Sequence, residues 1–154
     1  MNLDKAHILY VDDEIENLNV FQATFKSTYK VHTAASVEEG IKILKKEPIK
    51  LVITDHRISQ ETGIDFLIHV TKLKPDVVSV VLTGYSDAHD IILTINKVNI
   101  YKYLTKPWIK KDVQDAIEES LQVYQRRMDR KKLIKELEEN NRKLLEQIKG
   151  IKHD

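Results

Sequence analysis

Five side chains carry most of the chemistry this sequence offers: Asp12, Asp13, Asp55, Thr83 and Lys106. Each stands at or just past the end of a short apolar run: Asp12 and Asp13 after 6–11, Asp55 after 51–54, Thr83 after 77–82 and Lys106 after 100–104. Taken singly they are ordinary loop residues, and the ordered set is what carries meaning. If the runs are strands of one open parallel sheet, groups beyond their carboxyl ends meet in a crevice where the chain order reverses. With the first strand between the second and third, Asp12 and Asp13 meet Asp55. Three carboxylates in one place raise one another's pKa unless a cation sits among them. Oxygen donors with neither Cys nor His nearby select a hard octahedral ion, Mg²⁺, for which Mn²⁺ substitutes. A hydroxyl (Thr83) and an ammonium (Lys106) arriving opposite complete a cradle for a phosphoryl group, with Asp55 as carboxylate nucleophile. The product of such an attack is an acyl phosphate, which stores the transferred group on the protein.

The elements that must position these groups follow from the apolar pattern. Runs at 6–11, 30–34, 51–54, 77–82 and 100–104 are short and rich in Val, Ile or Tyr, and predict five strands. Helical spacing between them predicts helices at 14–25, 37–46, 64–73 and 87–97. Ser36 followed by Glu39 fits a capping box at the second helix, and Pro48 and Pro75 mark the exits from the second and third. Strands alternating with helices define an α/β fold, a mainly parallel sheet with helices on both faces. A fifth helix is expected from Trp108 or Ile109, with no breaker before Gly150.

That last helix changes character near Arg126. Val113, Ala116, Ile117, Ser120, Leu121 and Tyr124 form a broad stripe suited to a sheet, whereas Ile134, Leu137, Asn141, Leu144, Ile148 and Ile151 recur at the a and d steps of a heptad. The two stripes are out of phase, which makes 126–132 a joint between a domain at 1–125 and a helical extension at 126–154. Residues 1–125 hold 15 basic and 18 acidic side chains, net −3, and 126–154 hold 10 and 6, net +4. Basic and acidic residues interleave in the extension, which suits a partner helix in a homodimeric coiled coil better than nucleic acid or membrane. Asn141 at an a site favours a fixed register and a parallel pair, while Leu133 and Leu145 at g and e widen the seam and leave an antiparallel pair or higher oligomer open.

Composition sets the outer limits. The chain has 154 residues, 25 basic against 24 acidic, a net charge of +1, no Cys, 4 Gly and 3 Pro. Disulfides, thiolate zinc sites and thiol nucleophiles are thereby excluded, and no global field gathers nucleic acid. No apolar run is long enough for a signal peptide or a membrane span, so a cytoplasmic location is expected. His7, His32, His56, His69, His89 and His153 lack an i, i+4 spacing and read as surface or internally satisfied histidines. No helix-turn-helix or separate catalytic motif is visible in 126–154.

Four segments together resemble the signature positions of response-regulator receiver domains of two-component signalling: Val11-Asp12-Asp13-Glu14, Ile53-Thr54-Asp55, Val81-Leu82-Thr83-Gly84 and Tyr103-Leu104-Thr105-Lys106-Pro107. The resemblance covers about residues 5–125. It implies a flavodoxin-like sheet of order 2-1-3-4-5 and a histidine kinase whose phosphohistidine phosphorylates Asp55. It further implies Mg²⁺ held directly by Asp13 and Asp55, through water by Asp12 and by the backbone carbonyl of Arg57, with Thr83 and Lys106 on the phosphate oxygens. Tyr103 falls at the family's switch aromatic, so Thr83 and Tyr103 are the expected switch pair, remodelling the face of the fourth helix, fifth strand and fifth helix. Lys106-Pro107 matches the family's cis peptide and Gly63 its turn glycine. Ile58 and Ser59 depart from the Met and Pro usual there. Arg57 and Tyr85 match positions that tune dephosphorylation, and their size predicts slow loss of the phosphoryl group. Segments 82–86 and 100–108 are similar to receivers attached to HD-GYP phosphodiesterases and to transcriptional activators.

The rival readings differ in class. A haloacid-dehalogenase-like phosphatase also pairs an Asp nucleophile with Mg²⁺, but needs a second Asp two residues on, where Arg57 stands. A phosphate-independent adaptor would keep only the coiled coil, and the sensor part of a longer effector enzyme or hybrid kinase would keep the whole site.

Overall fold

The computed structural model describes residues 4–84 and 98–153. The expected helix at 87–97, Tyr85 and His89 lie outside the described residues. The described elements are β1 (His7–Val11), α1 (Ile15–Phe25), β2 (Lys30–Ala34), α2 (Val37–Lys46), β3 (Ile49–Asp55), β4 (Arg57–Ile58), β5 (Glu61–Thr62), α3 (Gly63–Leu73), β6 (Val78–Thr83), β7 (Lys102–Thr105) and α4 (Lys110–His153). All pairings in the main sheet are parallel, in the order β2-β1-β3-β6-β7. This is the flavodoxin-like 2-1-3-4-5 order, its numbers displaced only because the short antiparallel ribbon β4-β5 lies between the third and fourth large strands.

Alternation along each strand builds two cores. Leu9, Val11, Val52 and Val81 face one side with Leu44, Phe66 and Leu67 from α2 and α3. Ile8, Tyr10, Ile53 and Val80 face the other with Phe21 and Phe25 of α1 and Val113 and Ile117 of α4. A strand buried on both faces must be apolar at nearly every position, and β6 is buried throughout.

Element ends depart from the sequence expectation where polar residues interrupt apolar runs. β3 starts at Ile49, two residues early, because Lys50 is accommodated with its ammonium 5.6 Å from the centroid of the Tyr124 ring. Ser36 Oγ accepts from Glu39 N at 3.1 Å, as the capping box requires, but Glu39 Oε2 returns to Ala35 N at 2.9 Å, one residue before the cap. Val113 N donates to Ile109 O, so the carbonyl of Ile109 opens the last helix, and that helix passes through Gly150 instead of stopping there. A single Gly lowers helix stability by about 1 kcal/mol relative to Ala, too little to break a segment of good helix formers.

Contacts divide the chain into two compact units, Met1–Tyr124 and Gln125–Asp154. Within the second, Ile134, Leu137, Leu144, Ile148 and Ile151 are between 46% and 74% exposed, so this part of the chain leaves its apolar stripe uncovered. No described helix is long and apolar enough to cross a membrane.

Candidate functional site

The carboxyl ends of β1 and β3 are neighbours, which brings Asp12 and Asp13 to Asp55. One carboxylate oxygen from each of the three lies within 4.8 Å of the others. Asp12 is fully buried and held by three donors: Tyr10 Oη at 2.8 Å and Asn17 Nδ2 at 3.1 Å on Oδ2, and Glu14 N at 2.9 Å on Oδ1. Asp13 is exposed and accepts from Ser59 N at 2.9 Å. Lys106, just past β7, donates to Asp55 Oδ2 at 2.6 Å and stands 3.9 Å from Asp12 Oδ2. Thr83 ends β6 as a buried residue, and its hydroxyl donates to Gly84 O at 3.0 Å.

The electrostatics are those of a site short of positive charge. Burial raises the Asp55 carboxyl above its ordinary range; the Lys106 ammonium pulls the other way and Asp12 adds to the rise. Burial opposes the charge on Lys106, yet contact with Asp55 outweighs it and holds the ammonium above its usual pKa. Desolvation, then the charge and hydrogen bond of Asp12, push the Tyr10 hydroxyl far upward, so it stays a donor to Asp12 at all relevant pH. Three carboxylates against one ammonium leave room for a divalent cation, and the donors are all oxygen, the set that Mg²⁺ takes. Because ligation needs ionised Asp55, Mg²⁺ affinity measured by calorimetry is expected to fall as pH drops, beginning above the ordinary Asp value of about 4.

The loop after Asp55 is tied in by backbone. Gly63 N donates to His56 O, and a Cβ on Gly63 would stand 2.3 Å from the Asp55 carbonyl oxygen. Among the described residues no glycine has positive φ, so Gly63 is required for close approach, not for a left-handed turn. Gly63→Ala is expected to lower stability by about 1–3 kcal/mol, the scale of an overpacked core, read by urea denaturation. Ser59 has φ 55°, in the left-handed region, and its N–H is the donor to Asp13. A Pro at 59 supplies neither, which explains why the loop with Ile58 buried in the core carries Ser there.

The remaining expected residues are placed as follows. Arg57 opens β4, paired with Thr62. Tyr103 lies on β7 opposite Val81, half-buried, with its hydroxyl buried and lacking a hydrogen-bond partner among the described residues. The Lys106-Pro107 bond is cis. Trp108 packs at 6.1 Å from Phe21 and 6.0 Å from Phe25 between ring centroids, a packing role next to Lys106. Tyr10 and Asn17 were not singled out by sequence. Their one signal was spacing, two residues before Asp12 and one helical turn beyond Asp13, too common to mark a site.

The chain is similar to known proteins in sequence and fold. The family model described as "Response regulator receiver domain" matches residues 8–118. The hydrogenase transcriptional regulatory protein HoxA of Cupriavidus necator is 31% identical over 122 residues, 79% of this chain and 25% of that protein. The chain thus spans about a quarter of the length of the first curated relatives it matches. Among solved structures, a response regulator receiver domain protein from Clostridium thermocellum is 31% identical with a TM-score of 0.71, covering 84% of this chain and 98% of its own. The signal receiver domain of an HD domain-containing protein from Pseudomonas fluorescens is 26% identical with a TM-score of 0.77, over 84% and 96%.

Proposed function

The chain belongs to the response regulator receiver family of two-component systems, and from that membership we propose that it is a phosphorylation-controlled receiver whose acceptor is Asp55. The observation that carries the reading is Lys106 Nζ at 2.6 Å from Asp55 Oδ2 beside the converging oxygens of Asp12, Asp13 and Asp55. An Asp55 oxygen attacks the phosphorus of a phosphohistidine on a histidine kinase; the P–N bond breaks and the imidazole leaves with its electron pair, taking up a proton. Lys106 stays protonated and meets the charge on the phosphoryl oxygens, and the Thr83 hydroxyl turns from Gly84 O to donate to one of them. Asp12, Asp13 and Asp55, with the Arg57 carbonyl, would hold Mg²⁺, Mn²⁺ substituting, which would supply positive charge to offset that of the transferred group. Arg57 and Tyr85 slow the return of water to the acyl phosphate. Incubation with acetyl phosphate and Mg²⁺ is expected to give one phosphorylated species by intact mass, and none in EDTA; absence of labelling in Mg²⁺ overturns the reading, and continuous turnover of phosphodonor identifies a phosphatase instead.

Output in this reading passes from Thr83 to the half-buried Tyr103 on β7, and thence to the last helix, whose apolar seam pairs two chains. A buried hydroxyl without a partner among the described residues is an unstable resting place for Tyr103, which favours a second rotamer once Thr83 moves. The uncovered Ile134, Leu137, Leu144, Ile148 and Ile151, with Asn141 between them, are the dimer seam. Light scattering of the full chain at micromolar concentration is expected to give twice 18.0 kDa, and Leu137→Glu/Leu144→Glu to return it to one chain. A wild-type mass of one chain removes the dimer from the account. The greater length of the relatives favours a second reading of output, in which the same receiver controls an effector within a longer protein.

A further inference from the structure

About 16 Å of strand, at 3.3 Å per residue, separates Asp12 from a second cluster at the amino end of β1. Register pairs His7 with Lys30 and Leu9 with His32 across the parallel β1-β2 ladder. His7 and His32 are therefore diagonal neighbours on the face that carries Leu9, Val11 and Ala34 in the core beneath α2. Glu47 follows the last turn of that helix. All three side chains are half-buried, and each offers one ligand atom within 4.8 Å of the others.

The two imidazoles meet nitrogen to nitrogen. His7 Nδ1 is 2.9 Å from His32 Nε2, with ring planes 15° apart and centroids 5.1 Å apart. That centroid separation is close to the greatest that the nitrogen distance permits, so both nitrogens lie nearly on the line between the rings. The rings are edge to edge, not stacked. In such a contact at least one nitrogen offers a lone pair, and at 2.9 Å the gap between the two holds a proton. We propose that His7, His32 and Glu47 form a binding site for a divalent transition ion of the zinc class, with water completing the shell. Tetrahedral Zn–N bonds of about 2.0 Å set the nitrogens about 3.3 Å apart, which the half-exposed rings reach by opening a few tenths of an ångström and rotating. Bound ion would clamp β1, β2 and the end of α2 at the rim away from the acidic pocket, and would stabilise the folded chain because the unfolded one lacks the arrangement.

The test uses the full chain with excess MgCl₂, which occupies the acidic pocket. Calorimetric titration with ZnCl₂ is expected to show one ion per chain and a higher thermal midpoint. His32→Gln and Glu47→Gln are each expected to weaken zinc affinity roughly tenfold or more, at least the effect of disturbing a ligand's surroundings. Glu47→Gln changes a helix end only and keeps the test alive if a strand variant fails to fold. No zinc uptake in excess Mg²⁺, affinity unchanged in both variants, or uptake lost in Asp55→Asn but not in them, overturns the site.

Discussion

Asp55→Asn is expected to take up no phosphoryl group from acetyl phosphate, and at neutral pH without Mg²⁺ to melt at a higher temperature than the parent chain. The two effects have one origin. Burial raises the Asp55 carboxyl above its ordinary pKa despite the Lys106 contact. A raised acid gives stability that is full below the unfolded pKa and lost as pH climbs through the folded one. At neutral pH the ionised group therefore opposes folding, and the neutral amide of Asn removes that opposition while also removing the proposed phosphoacceptor. Intact mass after incubation and a thermal melt in EDTA measure the two. A labelled Asn variant means that the acceptor is another residue; a lower melting temperature means that the Lys106 pair outweighs the desolvation of Asp55.

Lys106→Ala is expected to separate metal binding from phosphoryl transfer. Lys106 lies 2.6 Å from Asp55 and 3.9 Å from Asp12, so it competes for the same oxygens that a cation needs. Without it Mg²⁺ affinity rises severalfold, because a like charge is gone from the pocket. Phosphorylation slows about 10²–10³-fold, the usual loss when one donor to a developing oxyanion is removed. Calorimetry and the time course of labelling give the two numbers independently. Weaker Mg²⁺ binding in this variant would mean that Lys106 shapes the pocket instead of competing within it.

The five strands, and the place of Asp12, Asp13, Asp55, Thr83 and Lys106 at their carboxyl ends, were legible because strand ends are marked by a change from apolar to polar residues, whereas the order of the strands came from the resemblance to receiver domains. In a parallel sheet all such ends lie on one rim. The exposed apolar stripe of the last helix was legible for the same local reason, its period. Gly63 was visible as a residue but not as a necessity, since the atom it must avoid, the Asp55 carbonyl oxygen, is eight positions away. The support of Asp13 by Ser59 was invisible, because a backbone N–H leaves no trace in side-chain type.

The histidines mark the boundary most plainly. Searched along the chain, His7 and His32 have no ligand spacing; across the β1-β2 register they touch, with Glu47 alongside. Residue types and their period, set by local sterics and by which faces meet water, determined the α/β class, the acidic rim and the apolar stripe of the last helix from sequence alone. Contacts between residues distant in the chain depend on register, which is fixed only when whole strands pair and bury their faces together. That is why the tertiary structure alone decided which donors hold Asp12, why Gly63 admits no side chain, and where two imidazoles share one gap.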